Sequence, residues 1–159
     1  NTMRILLVSD THGNQTALLQ AHEAAGSCDA VIHLGDGEQD TLLLKAIDDQ
    51  IQLFQVAGNC DLGSTAPREL LCEFGNVRLL LCHGDRYGVK SGLSRLIERG
   101  LAAAVDAVLY GHTHLAQSVE QEGLLLVNPG TLAAPAPCRS YAILEITESG
   151  ISATIYPLL

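Results

Sequence analysis

The stretch RILLVSDTHGN, Arg4 to Asn14, decides the fold. Ile5 to Val8 is an unbroken apolar run that reads as a buried strand over Arg4–Ser9. Asp10 and His12 follow it directly. Asn14 then caps a helix that runs to Ala25 and stops at Gly26. Working outward, the same rhythm returns in a strand at Ala30–Leu34, a helix at Asp40–Ile47 and a strand at Gln52–Val56. Alternation of this kind implies parallel strands joined by right-handed crossovers. The rest is rich in strands. Glu69–Phe74 and Val77–Cys82 meet at Gly75-Asn76, a tight hairpin turn. Leu93, Leu96, Ile97, Leu101 and Ala104 share one helical face ahead of a strand at Ala107–Tyr110. Further strands fall near Gln117–Glu120, Leu124–Val127, Tyr141–Ile146 and Ser152–Tyr156, separated by Gly, Pro and Asn. The expectation is one α/β domain over residues 1–159, with stacked sheets and helices outside. Asn1 and Thr2, ahead of Met3, read as a remnant of cloning.

Bulk properties exclude several functions. Eighteen acidic residues against nine basic ones give a formal charge of −9, and no Lys/Arg cluster reverses it locally. Such a surface repels nucleic-acid backbones, so bulk nucleic-acid binding is not expected. Apolar runs such as Leu42–Leu44 and Leu124–Val127 are far shorter than the ~20 residues of a membrane span. No secretory signal is read ahead of the first strand. The five cysteines, Cys28, Cys60, Cys72, Cys82 and Cys138, are odd in number, widely spaced and free of C-x-x-C. They are expected to be reduced thiols of a cytoplasmic protein, most of them buried.

Chemistry gathers where the strands end. Arg4–Ser9 leads to Asp10-Thr11-His12, and Ala30–Leu34 to Gly35-Asp36. Gln52–Val56 leads to Gly58-Asn59-Cys60-Asp61, Val77–Cys82 to His83-Gly84-Asp85, and Ala107–Tyr110 to Gly111-His112-Thr113-His114. In parallel sheets the carboxyl ends of strands form the ligand crevice. A lone D-x-H or H-x-H is more often a surface feature than a ligand pair, and a lone Asp at a strand end is more often a cap. Five such endings in one chain call for a metal site. In extended backbone residues i and i+2 point the same way, so Asp10 with His12, and His112 with His114, can address one ion or each lean to a neighbouring one. Glycines at 13, 35, 58, 84 and 111 let backbone turn and approach closely. Mixed carboxylate, imidazole and amide donors suit manganese, iron, zinc or nickel. His22 and His33 lack this context and read as structural.

As a set, D-x-H-x-N, G-D, G-N-C-D, H-G and G-H-T-H resemble the calcineurin-like metallophosphoesterase superfamily. They are most similar to its small bacterial and archaeal phosphodiesterases, which carry G-N-C-D in place of the commoner G-N-H-D. Asn128-Pro129-Gly130-Thr131 is similar to that branch's N-P-G-S/T turn. The resemblance implies a four-layer αββα sandwich with two stacked mixed sheets. It also implies two divalent ions, manganese foremost, one held by Asp10, His12, Asp36 and His114. The other is held by Asp36 as a bridge with Asn59, His83 and His112.

The implied activity is hydrolysis of a small phosphodiester by a hydroxide shared between the two ions. Asn59 would both ligate and orient substrate; Asp61, a catalytic-loop candidate, would orient the residue before it or cap a turn; and Arg86 reads as a phosphate contact or an exposed surface arginine. Cys60 stands where many relatives place a histidine that protonates the leaving group, and Asp85 where many have a second histidine. The alternatives are a phosphomonoesterase, or a retired interaction module such as the eukaryotic retromer subunit that resembles this family. All seven ligand positions hold metal-binding residues, which favours an enzyme. A homo-oligomer is compatible with the sequence.

Overall fold

Strand β1 (Met3–Val8) sends alternate side chains into two different cores. Ile5 and Leu7 point between two sheets, while Leu6 and Val8 pack against helix α1 (Gln15–Ala25). A strand apolar on both faces therefore looks like a continuous run in sequence. The computed structural model describes residues 2–159, so the reading of Asn1 lies outside the described residues. After β1 and α1 come β2 (Ala30–His33), α2 (Thr41–Ile47), β3 (Leu53–Gln55), β4 (Glu69–Phe74), β5 (Val77–Cys82) and α3 (Ser94–Ala103). The chain continues through β6 (Ala107–Leu109), β7 (Gln117–Gln121), β8 (Leu124–Asn128), β9 (Ser140–Thr147) and β10 (Gly150–Pro157).

The strands form two five-stranded mixed sheets, ordered β10-β9-β1-β2-β3 and β4-β5-β6-β8-β7. In the first, β1, β2 and β3 are parallel, with β9 and β10 added antiparallel. In the second, β5, β6 and β8 are parallel and β4 and β7 close the edges antiparallel. Ile32, Leu34 and Val56 of the first sheet meet Leu79, Leu81, Leu109 and Val127 of the second in the central core. Ala17, Leu18 and Ala21 of α1 and Leu44 of α2 cover the outer face of the first sheet. Leu96 and Ile97 of α3 cover Leu80, Val108 and Leu126 on the outer face of the second. These layers are the expected αββα sandwich. The edge strand β7 exposes Gln117, Ser118, Glu120 and Gln121, polar side chains that discourage pairing with another sheet.

Two expectations change. The second helix does not start at Asp40: a 3-10 turn, Glu38–Asp40, precedes α2. Asp40 is buried and its carboxylate accepts from Thr11 Oγ1 and Gly13 N instead of capping the helix. All five cysteines are free thiols, but only Cys82 is buried; Cys60 and Cys138 are exposed and the other two partly so. Among the described residues no helix is long and apolar enough to cross a membrane.

Leu81 is fully buried between the sheets, whereas Leu62 is 91% exposed. Leu81→Ala should lower the unfolding free energy in urea by about 2–5 kcal/mol, through lost burial and the cavity left behind. Leu62→Ala should change it by less than about 0.5 kcal/mol.

Candidate metal centre

The parallel strands of both sheets end at one rim. β1 delivers Asp10 and His12, β2 delivers Asp36, β3 leads to Asn59, β5 delivers His83, and β6 delivers His112 and His114. The backbone there is not extended. Asp10, His12, Asp36, His112 and His114 have φ of 54°, 44°, 58°, 72° and 65°. Only two other non-glycine residues among those described, Ala104 and Glu122, have positive φ. The i, i+2 pairs therefore converge through left-handed kinks, which correct the extended geometry expected from the sequence. Each such residue costs on the order of 1–3 kcal/mol, and such strain collects at functional sites. Close packing adds to the constraint. A Cβ on Gly58 would lie 2.2 Å from Asp36 Oδ1, and one on Gly111 would lie 2.2 Å from Ser9 Oγ. Space, rather than φ, fixes glycine at both positions.

Acceptor atoms face one another at this rim. Asp10, His12 and His114 each offer a ligand atom within 4.8 Å of the other two, and so do Asp36, His83 and His112. Asp10 Oδ1 is buried and has no hydrogen-bond partner. It lies 3.2 Å from His114 Nε2, 3.6 Å from His12 Nε2 and 3.7 Å from His83 Nε2. Asp36 Oδ2 is 3.1 Å from His83 Nε2 and 3.7 Å from His12 Nε2, so it faces both groups. His83 Nδ1 donates to Leu34 O (2.8 Å), which turns Nε2 inward toward His112 Nδ1 at 3.2 Å. An ion bound at about 2.1 Å holds its ligand atoms roughly 3.0–3.4 Å apart, close to these separations. The donor set thus fits divalent cations.

The titration of the rim carries the same message. Burial alone would raise Asp36, but the His83 hydrogen bond, the Cys60 amide and His12 outweigh it and hold the carboxyl well below its usual range. Burial opposes protonation of His83, yet Asp36 and Asp10 raise its pKa. His112 is lowered by burial and by the positive charge of His83 and Lys90.

Supporting contacts run between loops distant in sequence. Asp61 does not turn toward the cluster. Its Oδ2 accepts from Asp36 N and Gly58 N, both at 2.8 Å, and its Oδ1 from Gly37 N and Glu38 N at 2.9 and 3.2 Å. Burial raises its pKa, and these four amides more than offset that. His33 is fully buried and neutral, its pKa lowered to about 4 by burial. Its Nδ1 accepts from Gly35 N, so Nε2 carries the proton toward Thr11 Oγ1 (3.1 Å), which donates on to Asp40 Oδ2 (2.5 Å). His33 is structural, as expected. Its chain with Thr11 and Asp40 was not read from the sequence, because the partners lie far apart along it. Asn128 Nδ2 donates to Gly111 O and Thr113 Oγ1, and Thr131 Oγ1 donates to Asp10 O. The turn after β8 thereby clamps the β6 and β1 endings.

The remaining expected residues sit at the margin. Asn59 is exposed and its amide donates to Cys60 Sγ (3.6 Å), so these contacts do not join it to the other six ligands. Cys60 N donates to Asp36 Oδ1 (2.7 Å), and its Sγ lies within 4.8 Å of ligand atoms of His12 and Asp36. Slight burial and then the negative charge of Asp36 push the Cys60 thiol up, so it is neutral at physiological pH. Asp85 and Arg86 belong to a 3-10 turn, Asp85–Tyr87, and Arg86 is exposed. Asp85 lies 3.9 Å from Arg68 and outside the ligand groups.

The family model described as the calcineurin-like phosphoesterase superfamily domain matches residues 3–149. The chain belongs to this superfamily. It is 32% identical to the probable metallophosphoesterase YsnB of Bacillus subtilis, over 97% of this chain and 90% of that protein. Among solved structures, a predicted phosphoesterase from Streptococcus pneumoniae superposes with a TM-score of 0.83 at 24% identity, covering 99% of this chain and 90% of that one. An archaeal phosphodiesterase gives 0.76 at 20% over 97% and 100%. Vps29 from Entamoeba histolytica, in a structure with zinc, gives 0.75 at 19% over 99% and 100%. At these identities the structures establish a shared fold. Family membership implies divalent metal ions.

Asp10 Oδ1 is the sharpest test of that implication. Asp10→Asn turns the orphaned acceptor into a donor facing His114, while its remaining oxygen can keep the Ser9 and His112 N bonds of Oδ2. In chelator the variant should be more stable than wild type by on the order of 1 kcal/mol, the cost of one unsatisfied buried group. Manganese should then raise the melting temperature of wild type far more than that of the variant, as differential scanning calorimetry would record.

Proposed function

We propose that this chain is a phosphodiesterase that works with two divalent ions, manganese foremost, on a small substrate. The observation that carries the reading is the partnerless Asp10 Oδ1 at the meeting of two ligand groups, with Asp36 facing both. Bound ions would supply Lewis-acid activation of water and neutralise charge on the phosphoryl oxygens. The chain's own groups do the rest. Asp36, whose Oδ2 faces both groups, would be the ligand they share. Ser9 Oγ and His112 N fix Asp10 through its Oδ2, so Oδ1 stays aimed inward. Leu34 O sets the tautomer of His83. Asn59, on the exposed side, would help hold the second ion and offer its amide to a substrate oxygen. Asp61 serves as a positioning residue, since its oxygens tie the β2 ending to the β3 ending and touch no substrate.

Strain argues against an interaction module that has abandoned catalysis. A docking surface gains nothing from five left-handed non-glycine residues around an orphaned carboxylate oxygen. Phosphodiesters are favoured over monoesters because position 60 offers a neutral thiol rather than an imidazolium to protonate a poor leaving group.

Activity toward a chromogenic phosphodiester should vanish after chelation and return best with manganese. Asp36→Asn should lower both metal occupancy and turnover, the latter by on the order of 10²-fold or more, as expected for a group bound to both ions. His22→Ala, in α1 and away from the rim, should retain both. Equal losses in the two variants would place the site elsewhere.

Without an acid at position 60, rates should fall steeply from nitrophenyl to alkyl leaving groups. Cys60→His should flatten that dependence and speed alkyl esters selectively, since general-acid help supplies ~10²–10⁴-fold. An unchanged slope in a variant that keeps its metal content would show that Cys60 does not mark a missing acid.

A further inference from the structure

We infer that the cavity beside His83, flanked by Arg68 and Arg86, receives a second anionic group of the substrate. The natural substrate class is then a phosphoester that carries another phosphate or carboxylate near the scissile bond. A cavity of about 160 Å³ lies against Cys82, Gly84 and Asp85, the chain on either side of His83, and Arg68, Glu69, Arg86 and Tyr87 complete its lining. That is several times the ~30 Å³ share of a water molecule. Its charges do not cancel. Glu69 is already matched by Arg99, which holds Oε2 through Nη2 at 2.7 Å and Nε at 3.1 Å, and it also accepts from Tyr87 OH. Asp85 is the one carboxylate left over, and its approach to Arg68 is loose at 3.9 Å. Arg86 takes part in no salt bridge among the described residues. Two guanidinium groups therefore face one uncommitted carboxylate, on a protein whose net charge is −9.

Position links the cavity to the reaction. β4 pairs antiparallel with β5, Glu69 opposite Cys82, so Arg68 and Asp85 stand at the same end of the ladder as His83. Gly84, left-handed at φ 104°, turns the chain from the ligand His83 straight into the cavity wall. Planar guanidinium groups bind phosphate and carboxylate through paired hydrogen bonds, which suits recognition of a second anion.

This inference rests on the phosphoester reading, and the test separates the two. Thymidine bisphosphate and thymidine monophosphate are titrated calorimetrically into the manganese-loaded protein. Nitrophenyl diesters of thymidine, with and without a second phosphate, are assayed for turnover. The bisphosphate is expected to bind on the order of ten-fold more tightly, the equivalent of one added charged hydrogen bond. Arg86→Gln and Arg68→Gln should each erase most of that preference. Arg78→Gln makes the same change of charge near the opposite end of β5 from His83 and should preserve it. Equal affinity of wild type for the two nucleotides, or an equal loss in Arg78→Gln, overturns the inference. Absent turnover of both diesters would count against the phosphodiesterase reading alone, because the preference is read from binding.

Discussion

Acceptor atoms repel one another when they are brought together away from water, and this rim brings together two carboxylates and four imidazoles. Asp10 Oδ1 shows the consequence most plainly, being buried without a hydrogen-bond partner. Buried carboxylates are stable only when paired, hydrogen-bonded or bound to metal. The rest of the site can be understood as what keeps the cluster from relaxing. Leu34 O holds His83, the β8 turn holds the β1 and β6 endings, and Asp61 gathers four amides from two loops. None of those bonds runs outward to solvent. They hold the acceptors in place before any cation arrives, so little reorganisation is left for binding itself.

The sandwich exists in the form that this cluster needs. Parallel strands in both sheets point their carboxyl ends the same way, and the central core brings those ends within hydrogen-bond distance across the sheets. His83 of the second sheet reaches Leu34 and Asp36 of the first, and His112 N reaches Asp10. The antiparallel strands β4, β7, β9 and β10 supply none of the six residues gathered at the rim. They cap the sheets and leave the parallel strands buried at the centre.

Most of the architecture was legible in the sequence because it is local. β4 and β5 lie where alternation and the Gly75-Asn76 turn place them, and Asn14 caps α1 as read, accepting from Ala17 N. The six side chains gathered at the rim were legible as candidates because each follows an apolar run. What local pattern cannot encode is which loops touch. Asp40 looked like a helix start and instead completes a buried chain through Thr11 to His33, across 22 and 29 residues. Asp61 read equally as orienting the residue before it or capping a turn, and its contacts with four amides of two loops could not be read from local pattern. The left-handed kinks at Asp10, His12, His112 and His114 were also hidden, since nothing in D-x-H or H-x-H specifies φ. Asn59 remains at the margin because its loop is exposed and its one side-chain bond is to its neighbour.

Strand β1 occupies the middle of its sheet, with β2 on one side and β9 on the other, Met3 opposite Ile146. The loop after β1 is also secured from the far end, by Thr131 Oγ1 and Leu132 N on Asp10 O and by Asn14 Nδ2 on Leu132 O. During synthesis, then, β1 emerges long before its partner β9. Its hydrogen-bonding edge stays open while everything from α1 to β8 is being made, and pairings of such separation are slow to form. A truncated or stalled nascent chain would carry Asp10, His12 and Asp36 without the frame that aims them. The order of synthesis thus postpones the metal centre until the sandwich is nearly whole, and a half-made chain presents no finished site to the cell's metal pool.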